Sequence, residues 1–257
     1  MDCIGATGGI IIDGNTIGPA RAGRLYGIGV GPGDPGLLTL RAVEALREVA
    51  AVLAPRSHED RDSLALSIAR PHLPPGCEIL EVVFPMTENR EVVEGAWASA
   101  ADLMLSRVAS GQSVAFLTLG DALLYSTWSY LLRTIRQRDS NAEVVTIPGI
   151  TAMSACAAAA GVPLAEGRSP LLIWPDRPPG SSAGVPVDTL SDVPNVVFLK
   201  AGRHAESLAA YARVHGMQAV AVRRCSLPEQ QITRDLSEWI EDPDYFTTAL
   251  MRRETKR

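Results

Sequence analysis

The chain has 257 residues, 46% hydrophobic and 21% charged, which excludes a disordered protein and is enough for one or two domains with full cores. Its net charge of −5 argues against general nucleic-acid binding. Four scattered cysteines and four histidines without ligand spacing argue against a zinc site or a disulfide scaffold, so no metal is expected.

The first 23 residues are rich in glycine and lack a basic region followed by a long apolar one. They are predicted to be a flexible leader rather than a signal peptide. The longest uncharged run, Val144–Ala165, is interrupted by prolines and glycines and is too broken to span a bilayer. We therefore expect a cytoplasmic protein without membrane contact.

The next part of the chain alternates short apolar runs with amphipathic segments. Strands are predicted, in chain order, over Leu25–Val30, Ala51–Ala54, Ile79–Phe84, Ser113–Leu119 and Val144–Ile147. Helices are predicted over Thr39–Val49, Ser63–Ala69, Val92–Ser110 and Tyr130–Gln137. This alternation predicts an α/β domain over residues 24–146.

After Pro148 and Gly149 a second domain is predicted, over residues 147–257. Its predicted strands are Leu171–Trp174, Val196–Leu199, Ala219–Val222 and Phe246–Met251, and its predicted helices are Thr151–Ala160 and Ala205–Val214. Pro175–Pro194 holds five prolines and is predicted to be a loop. The fold class is therefore α/β with mostly parallel sheets in both domains.

The first strand runs into a turn in which Gly31, Gly33 and Gly36 match the GxGxxG pattern of dinucleotide sites. Pro32 and Pro35 remove two amide donors that a phosphate needs, and the second strand ends in Leu53-Ala54-Pro55-Arg56 without the acidic residue expected about twenty positions on. On this motif alone, a dinucleotide site and a tight turn without ligand remain equally open.

A broader pattern starts at the same turn. Tyr26–Pro35 with Leu37–Leu40 resembles the opening motif of the tetrapyrrole methylases, which use S-adenosylmethionine in cobalamin and sirohaem biosynthesis. Four further stretches agree with this family in order and spacing: Leu117–Thr127, Ile147–Ala152, Val197–Lys200 and Arg223–Gln230. The resemblance spans roughly Arg24 to Arg253, and it is specific because five motifs occur in register.

The resemblance implies two α/β domains with an active-site cleft between them, a homodimer, S-adenosylmethionine as methyl donor and a tetrapyrrole as substrate. The stretch Leu124–Trp128 and the strand end at Leu199 and Lys200 are most similar to the branch that methylates C20 of precorrin-2 or of cobalt-factor II. The implied activity is C-methylation in cobalamin biosynthesis.

The resemblance also implies which residues contact the cofactor. These are Pro32, Leu119, Gly120, Asp121, Leu124, Tyr125, Thr151, Ala152, Leu199, Lys200 and Cys225. For Gly120 and Asp121 the alternative is a helix N-terminal turn capped by the aspartate. Cys225 is interpreted as a small apolar wall of the pocket rather than a nucleophile, because no histidine lies near it in sequence.

A tetrapyrrole bears many carboxylates, for which arginine is the natural partner. Arg56, at the end of the second strand, is the first candidate for substrate binding, followed by Arg203 and His204. Ser126 is a further substrate-binding candidate. Asp34 is the catalytic candidate, either orienting the substrate or assisting proton removal, although it could simply stabilise its turn.

Two residues depart from the family pattern. Ala122 stands where the family has the proline of Gly-Asp-Pro, and Arg223 stands where glutamate is frequent. These departures leave other functions open: methylation at another position of a corrin or of uroporphyrinogen III, or tetrapyrrole binding without turnover. A different class is an NADP-linked oxidoreductase with Arg56 near the 2′-phosphate.

Overall fold

The computed structural model describes residues 23–56, 63–84, 87, 89–175 and 193–253. These residues form two compact units. The first contains residues 23–30 and Leu38–Gly149, and the second contains Gly31–Leu37 and the chain from Ile150 onward. The opening glycine turn thus belongs with the C-terminal half of the chain. Of the predicted leader, only Gly23 is among the described residues.

The first unit is a parallel sheet with helices. Its strands are β1 (Leu25–Gly29), β2 (Ala51–Arg56), β3 (Glu78–Val83), β4 (Val114–Thr118) and β5 (Val144–Ile147). Its helices are α1 (Leu40–Leu46), α2 (Leu64–Ala69), α3 (Arg90–Ala109) and α4 (Thr127–Arg138). The sheet order is β3-β2-β4-β1-β5 and every pair is parallel, which confirms the α/β prediction and brings all five carboxyl ends to one edge.

Side chains alternate between the two faces of this sheet, and both faces are covered. Tyr26 and Ile28 of β1 pack in a cluster with residues of α1 and α2. Leu25 packs in a second cluster with residues of α3 and α4. β1 and β4 are buried along their whole length, and such strands form continuous apolar runs, which is why the sequence revealed them.

Side-chain caps set where the helices begin. The Ser126 hydroxyl accepts a hydrogen bond from the amide of Trp128 at 3.1 Å, so α4 begins at Thr127, three residues before the predicted start at Tyr130. Thr39 and Ser63 cap α1 and α2 in the same way, and both therefore lie just outside the helices they were predicted to open.

The second unit contains α5 (Ala152–Ala160) and α6 (Ala205–Val214). Its strands are β6 (Leu171–Trp174), β7 (Asn195–Leu199), β8 (Met217–Arg223), β9 (Gln231–Thr233) and β10 (Thr247–Arg253). Short 3₁₀ helices lie at Pro35–Leu37, Ala201–His204 and Leu236–Trp239. The sheet order is β6-β7-β10-β8-β9.

In this sheet the expectation of mostly parallel strands is corrected. Only β6 and β7 are parallel, while β10 runs antiparallel to both β7 and β8, and β9 runs antiparallel to β8. A parallel crossover needs a dozen residues or more, whereas only residues 224–230 join β8 to β9. The three-residue β9 is too short to show a periodicity and was not predicted.

Apolar clusters on the two sides of the second sheet complete its core. Most of the predicted loop Pro175–Pro194 lies outside the described residues. None of the helices within the described ranges combines the length and apolar character that crossing a membrane needs.

Candidate functional site

Three glycines bring the carboxyl ends of β1, β4 and β5 into backbone contact. A Cβ on Gly29 would lie 2.7 Å from both the Gly120 oxygen and the Gly149 nitrogen. A Cβ on Gly149 would lie 2.6 Å from the Gly29 oxygen and closer still to the Gly120 oxygen. Side chains therefore have no room at this point, and the loop after β4 rests directly on the turn after β5.

Asp121 ties these two connections together. Its Oδ1 accepts from the amide of Leu123 at 2.9 Å, and its Oδ2 accepts from the amide of Gly149 at 3.0 Å. The alternative that this aspartate caps α4 is not observed, because Ser126 is the cap. The predicted cofactor stretch at Gly120 and Asp121 is thus held by main-chain hydrogen bonds at the carboxyl edge, where open α/β sheets bind ligands.

The residues after Asp121 differ in exposure. Tyr125 is half exposed and has a φ of +50°, whereas Leu124 is partly buried. The hydroxyl of Ser126 is buried and lies 3.0 Å from that of Thr118, in addition to capping α4. Substrate binding by Ser126 stays a prediction, and the structure gives this hydroxyl two partners within the chain.

Arg56 ends β2 at the same edge. Its guanidinium forms an ion pair with Glu81 of β3, and 22% of its side chain is exposed. The carboxylate of Glu81 therefore fixes the position of the Arg56 guanidinium. Arginine is the side chain expected to bind a substrate carboxylate. The lesser candidates Arg203 and His204 lie in the second unit, on the 3₁₀ helix after β7.

In the second unit, the glycine turn packs beside the Cys225 loop. A Cβ on Gly33 would lie 2.9 Å from the Leu227 side chain and 3.0 Å from the Cys225 oxygen. Asp34 Oδ1 accepts from the amide of Gly36 at 2.7 Å, which is the turn-stabilising arrangement. Pro32, which precedes Gly33, therefore lies near the predicted cofactor stretch at Cys225. The catalytic role of Asp34 stays a prediction.

Other predicted cofactor residues of this unit also converge. Leu199 and Cys225 belong to one apolar cluster, which includes residues of α5. Thr151 caps α5 by accepting from the amide of Ser154 at 3.2 Å, and Ala152 is the first residue of that helix. Apolar side chains beside exposed turn backbones are the usual composition of a small-molecule site.

Backbone strain marks the same stretches. Among the described residues, four that are not glycine have positive φ: Tyr125, Lys200, Arg224 and Ser226. Left-handed conformations cost such residues about 1–2 kcal/mol each and are retained where the surroundings impose them, as at functional sites. Tyr125 and Lys200 were predicted site residues, whereas Arg224 and Ser226, which flank Cys225, were not. No signal in their residue types could have identified them.

Cys156 and Cys225 form a buried thiol pair. A hydrogen bond with Cys156 lowers the pKa of Cys225 below the ordinary thiol value. The same hydrogen bond, together with burial, raises the pKa of Cys156. Cys156 is on α5 and Cys225 follows β8, so the pair connects two predicted cofactor stretches.

Replacing Cys156 with alanine is expected to raise the pKa of Cys225 toward the ordinary thiol value of 9.0, because the donor to its thiolate is lost. At pH 7 the thiolate fraction of Cys225 should fall, and with it the rate of alkylation by iodoacetamide. Mass spectrometry of the Cys225 peptide between pH 6 and 10 measures this. Cys77→Ala is the control, and an unchanged pH midpoint in Cys156→Ala would contradict the assignment.

Comparisons with known proteins agree with this arrangement. A family model described as tetrapyrrole (corrin/porphyrin) methylases matches residues 24–239. The cobalt-precorrin-2 C(20)-methyltransferase of Salmonella typhimurium is 34% identical, over 90% of this chain and 97% of its own. The precorrin-2 C(20)-methyltransferase of a Sinorhizobium species is 32% identical, over 89% of this chain and 95% of its own.

Solved structures share the fold. A cobalt precorrin-4 methyltransferase superposes with a TM-score of 0.68 at 20% identity, covering 90% of this chain and 95% of its own. A uroporphyrin-III C-methyl transferase from Thermus thermophilus, complexed with S-adenyl homocysteine, gives 0.63 at 23% identity, covering 89% and 92%. At these identities the likeness shows the fold.

Proposed function

Because this chain belongs to the tetrapyrrole (corrin/porphyrin) methylase family, we propose that it transfers the methyl group of S-adenosylmethionine to C20 of precorrin-2 or of its cobalt-bearing counterpart. The observation that carries this proposal is the similarity, over nine tenths of the chain, to relatives named as C(20)-methyltransferases on both forms of the substrate. The family assignment makes the protein a methyltransferase, and the position methylated is the proposal.

The residues present fit S-adenosylmethionine, which supplies an electrophilic methyl group on a sulfonium. The partly buried Leu199 and the buried Cys225 belong to one apolar cluster, which suits one face of an adenine. Lys200, Arg224 and Ser226 adopt left-handed conformations in the turns directly after β7 and β8, beside this apolar cluster. We assign cofactor binding to these stretches and to Leu119–Asp121 of the first unit.

Methyl transfer breaks a sulfur–carbon bond and forms a carbon–carbon bond at an electron-rich meso carbon of the tetrapyrrole. The reaction needs alignment rather than a strong nucleophile on the protein, and rigid backbone supports such as the Gly29, Gly120 and Gly149 contact provide it. C20 must then lose its proton. Asp34 is our candidate to receive it, since within the described ranges its Oδ1 alone is engaged, by the amide of Gly36.

Arg56 is our candidate for binding a substrate carboxylate. Its guanidinium is held by Glu81 at the carboxyl edge of the first sheet, and a planar guanidinium can serve two carboxylates at once. Ser126 is our second candidate for substrate binding. Its hydroxyl lies at the same edge, 3.0 Å from that of Thr118.

The remaining parts of the proposal concern assembly and location. We propose a homodimer that works in the cytoplasm and binds no nucleic acid, the last in keeping with the net charge of −5. Light scattering coupled to size exclusion measures the dimer directly, with an expected mass of twice the chain.

The test of function is calorimetric titration with S-adenosylhomocysteine, the demethylated product. We expect micromolar binding, followed by turnover when precorrin-2 and its cobalt complex are assayed side by side, and NMR should locate the new methyl group at C20. A methyl group at another position would contradict the C20 proposal. Folded protein that binds NADPH and no S-adenosylhomocysteine would support an oxidoreductase instead, and tetrapyrrole binding without turnover would support a regulatory protein.

A further inference from the structure

We propose that residues 242–246, called here the 242–246 segment, are a positioning element for the cofactor stretches of the second unit, with Asp244 as its central residue. This inference rests on the proposed function. The segment has the sequence Asp-Pro-Asp-Tyr-Phe and precedes β10. Nothing in the sequence motifs singled it out, and its importance comes from the contacts it makes with two stretches far away in the chain.

Asp242 holds the end of β8. Its Oδ2 accepts from Arg223 Nη1 at 2.6 Å, and its carbonyl oxygen accepts from Arg223 Nη2. The guanidinium also stacks 4.5 Å above the ring of Trp239, and only 6% of the arginine side chain is exposed. Arg223 stands where glutamate is frequent in the family. Its charge is therefore compensated by the Asp242 carboxylate, and its guanidinium packs on the Trp239 ring.

Asp244 holds the next residue. Its Oδ2 accepts from Arg224 Nε at 2.6 Å, and the amide of Arg224 donates to the Phe246 oxygen at 2.8 Å. Asp244 Oδ1 accepts from the amide of Phe246 at 2.8 Å, so that both carboxylate oxygens are used. Arg224, in its left-handed conformation, is thus fixed by its side chain and its main chain at once.

The same segment contacts the turn after β7. A Cβ on Gly202 would collide with the backbone of Asp244, so the two main chains touch. The Lys200 ammonium lies 5.5 Å from the centroid of the Tyr245 ring. The 242–246 segment therefore bridges Lys200 and Arg224, two of the strained residues of the proposed cofactor site.

Strained backbone persists only where neighbouring contacts outweigh its cost. Two ion pairs are available for this, and they differ in their exposure to water. The side chain of Asp242 is 82% exposed, whereas that of Asp244 is 13% exposed. Arg224 is more exposed than Arg223, at 44% against 6%, but the Asp244 carboxylate is also bonded by the Phe246 amide. We therefore take the Asp244–Arg224 pair as the main restraint on the Cys225 loop.

The test compares Asp244→Asn with Glu241→Gln, a neighbouring exposed carboxylate outside the segment. Asparagine keeps the size of aspartate but cannot accept from both Arg224 and Phe246. We expect the Kd for S-adenosylhomocysteine and the KM for S-adenosylmethionine to rise about tenfold. The KM for the tetrapyrrole should stay within about twofold, because the substitution touches no residue assigned to substrate binding. Glu241→Gln should match the wild type in every parameter.

A double-mutant cycle separates positioning from general weakening of the fold. Arg224→Gln should lower S-adenosylhomocysteine affinity about as much as Asp244→Asn, and the double variant should lose little more than either single variant. Wild-type affinity in Asp244→Asn, or losses that add in the cycle, would overturn the inference. The wild-type titration tests the proposed function itself, and the ratio of variant to wild type tests the positioning role.

Discussion

Replacing Gly149 with alanine is expected to lower kcat/KM for methyl transfer by about a hundredfold or more. The new Cβ would lie 2.6 Å from the Gly29 oxygen and closer to the Gly120 oxygen, and neither backbone atom can rotate away. The ends of β1 and β4 must then move apart. Displacing reacting groups by about 1 Å can cost a hundredfold in rate, and this loop carries the proposed cofactor stretch Leu119–Asp121.

Steady-state kinetics with S-adenosylmethionine, and calorimetry with S-adenosylhomocysteine, measure this effect in protein shown to be folded by circular dichroism. Gly95→Ala is the matched control, because a Cβ at Gly95 has nothing within 4 Å and the residue lies within α3. The control should keep wild-type kinetics. A Gly149→Ala variant with kcat/KM near that of the wild type would show that the loop contact does not position the site.

Replacing Gly27 with alanine is expected to lower the free energy of unfolding by about 3 kcal/mol, the upper range for overpacking a core. Gly27 is in the middle of β1, and a Cβ there would overlap the indole ring of Trp128. That ring is fully buried, and its Nε1 donates to Thr146 Oγ1 at 3.0 Å. It cannot move aside without breaking this bond and opening the packing against Phe116.

Urea unfolding followed by tryptophan fluorescence measures the change. In the same experiment Gly95→Ala should gain about 0.5–1 kcal/mol, since alanine is the better helix former. The two substitutions add the same methyl group, so the difference between them reports the space at each position. A loss of less than about 0.5 kcal/mol in Gly27→Ala would mean that the β1 contact with Trp128 yields easily.

The secondary structure of the first unit was largely predictable because its central strands β1 and β4 are buried along their whole length and β2 along most of it. Leu25 begins β1 as predicted, and β5 has the predicted bounds Val144–Ile147. The prediction was weaker where a polar side chain decides the boundary, as at Ser126, whose capping bond moves the start of α4. A serine in a loop and a serine at a helix cap look the same in sequence, and only the hydrogen bond distinguishes them.

The candidate site was predicted through motifs rather than through physical patterns. Gly120, Lys200 and Cys225 were identified because their stretches resemble those of a family, and the family assignment is confirmed by the match over residues 24–239. Their roles as site residues stay predictions. The positive φ of Lys200, Arg224 and Ser226 could not be foreseen, because those residue types seldom adopt it.

The sequence by itself determined the fold class, the family and the alternation of strands and helices, since these depend on local runs of apolar residues and on motifs continuous in the chain. Tertiary structure alone decided the antiparallel position of β10 between β7 and β8. It also decided the ion pairs of Asp242 with Arg223 and of Asp244 with Arg224. Strand pairing and ion pairs join residues about 20 to 60 positions apart through surfaces that exist only after the chain has folded. Local patterns carry no information about which distant residues come into contact. The proposed positioning of the cofactor stretches depends on such contacts, namely those of the 242–246 segment with Arg224 and Lys200.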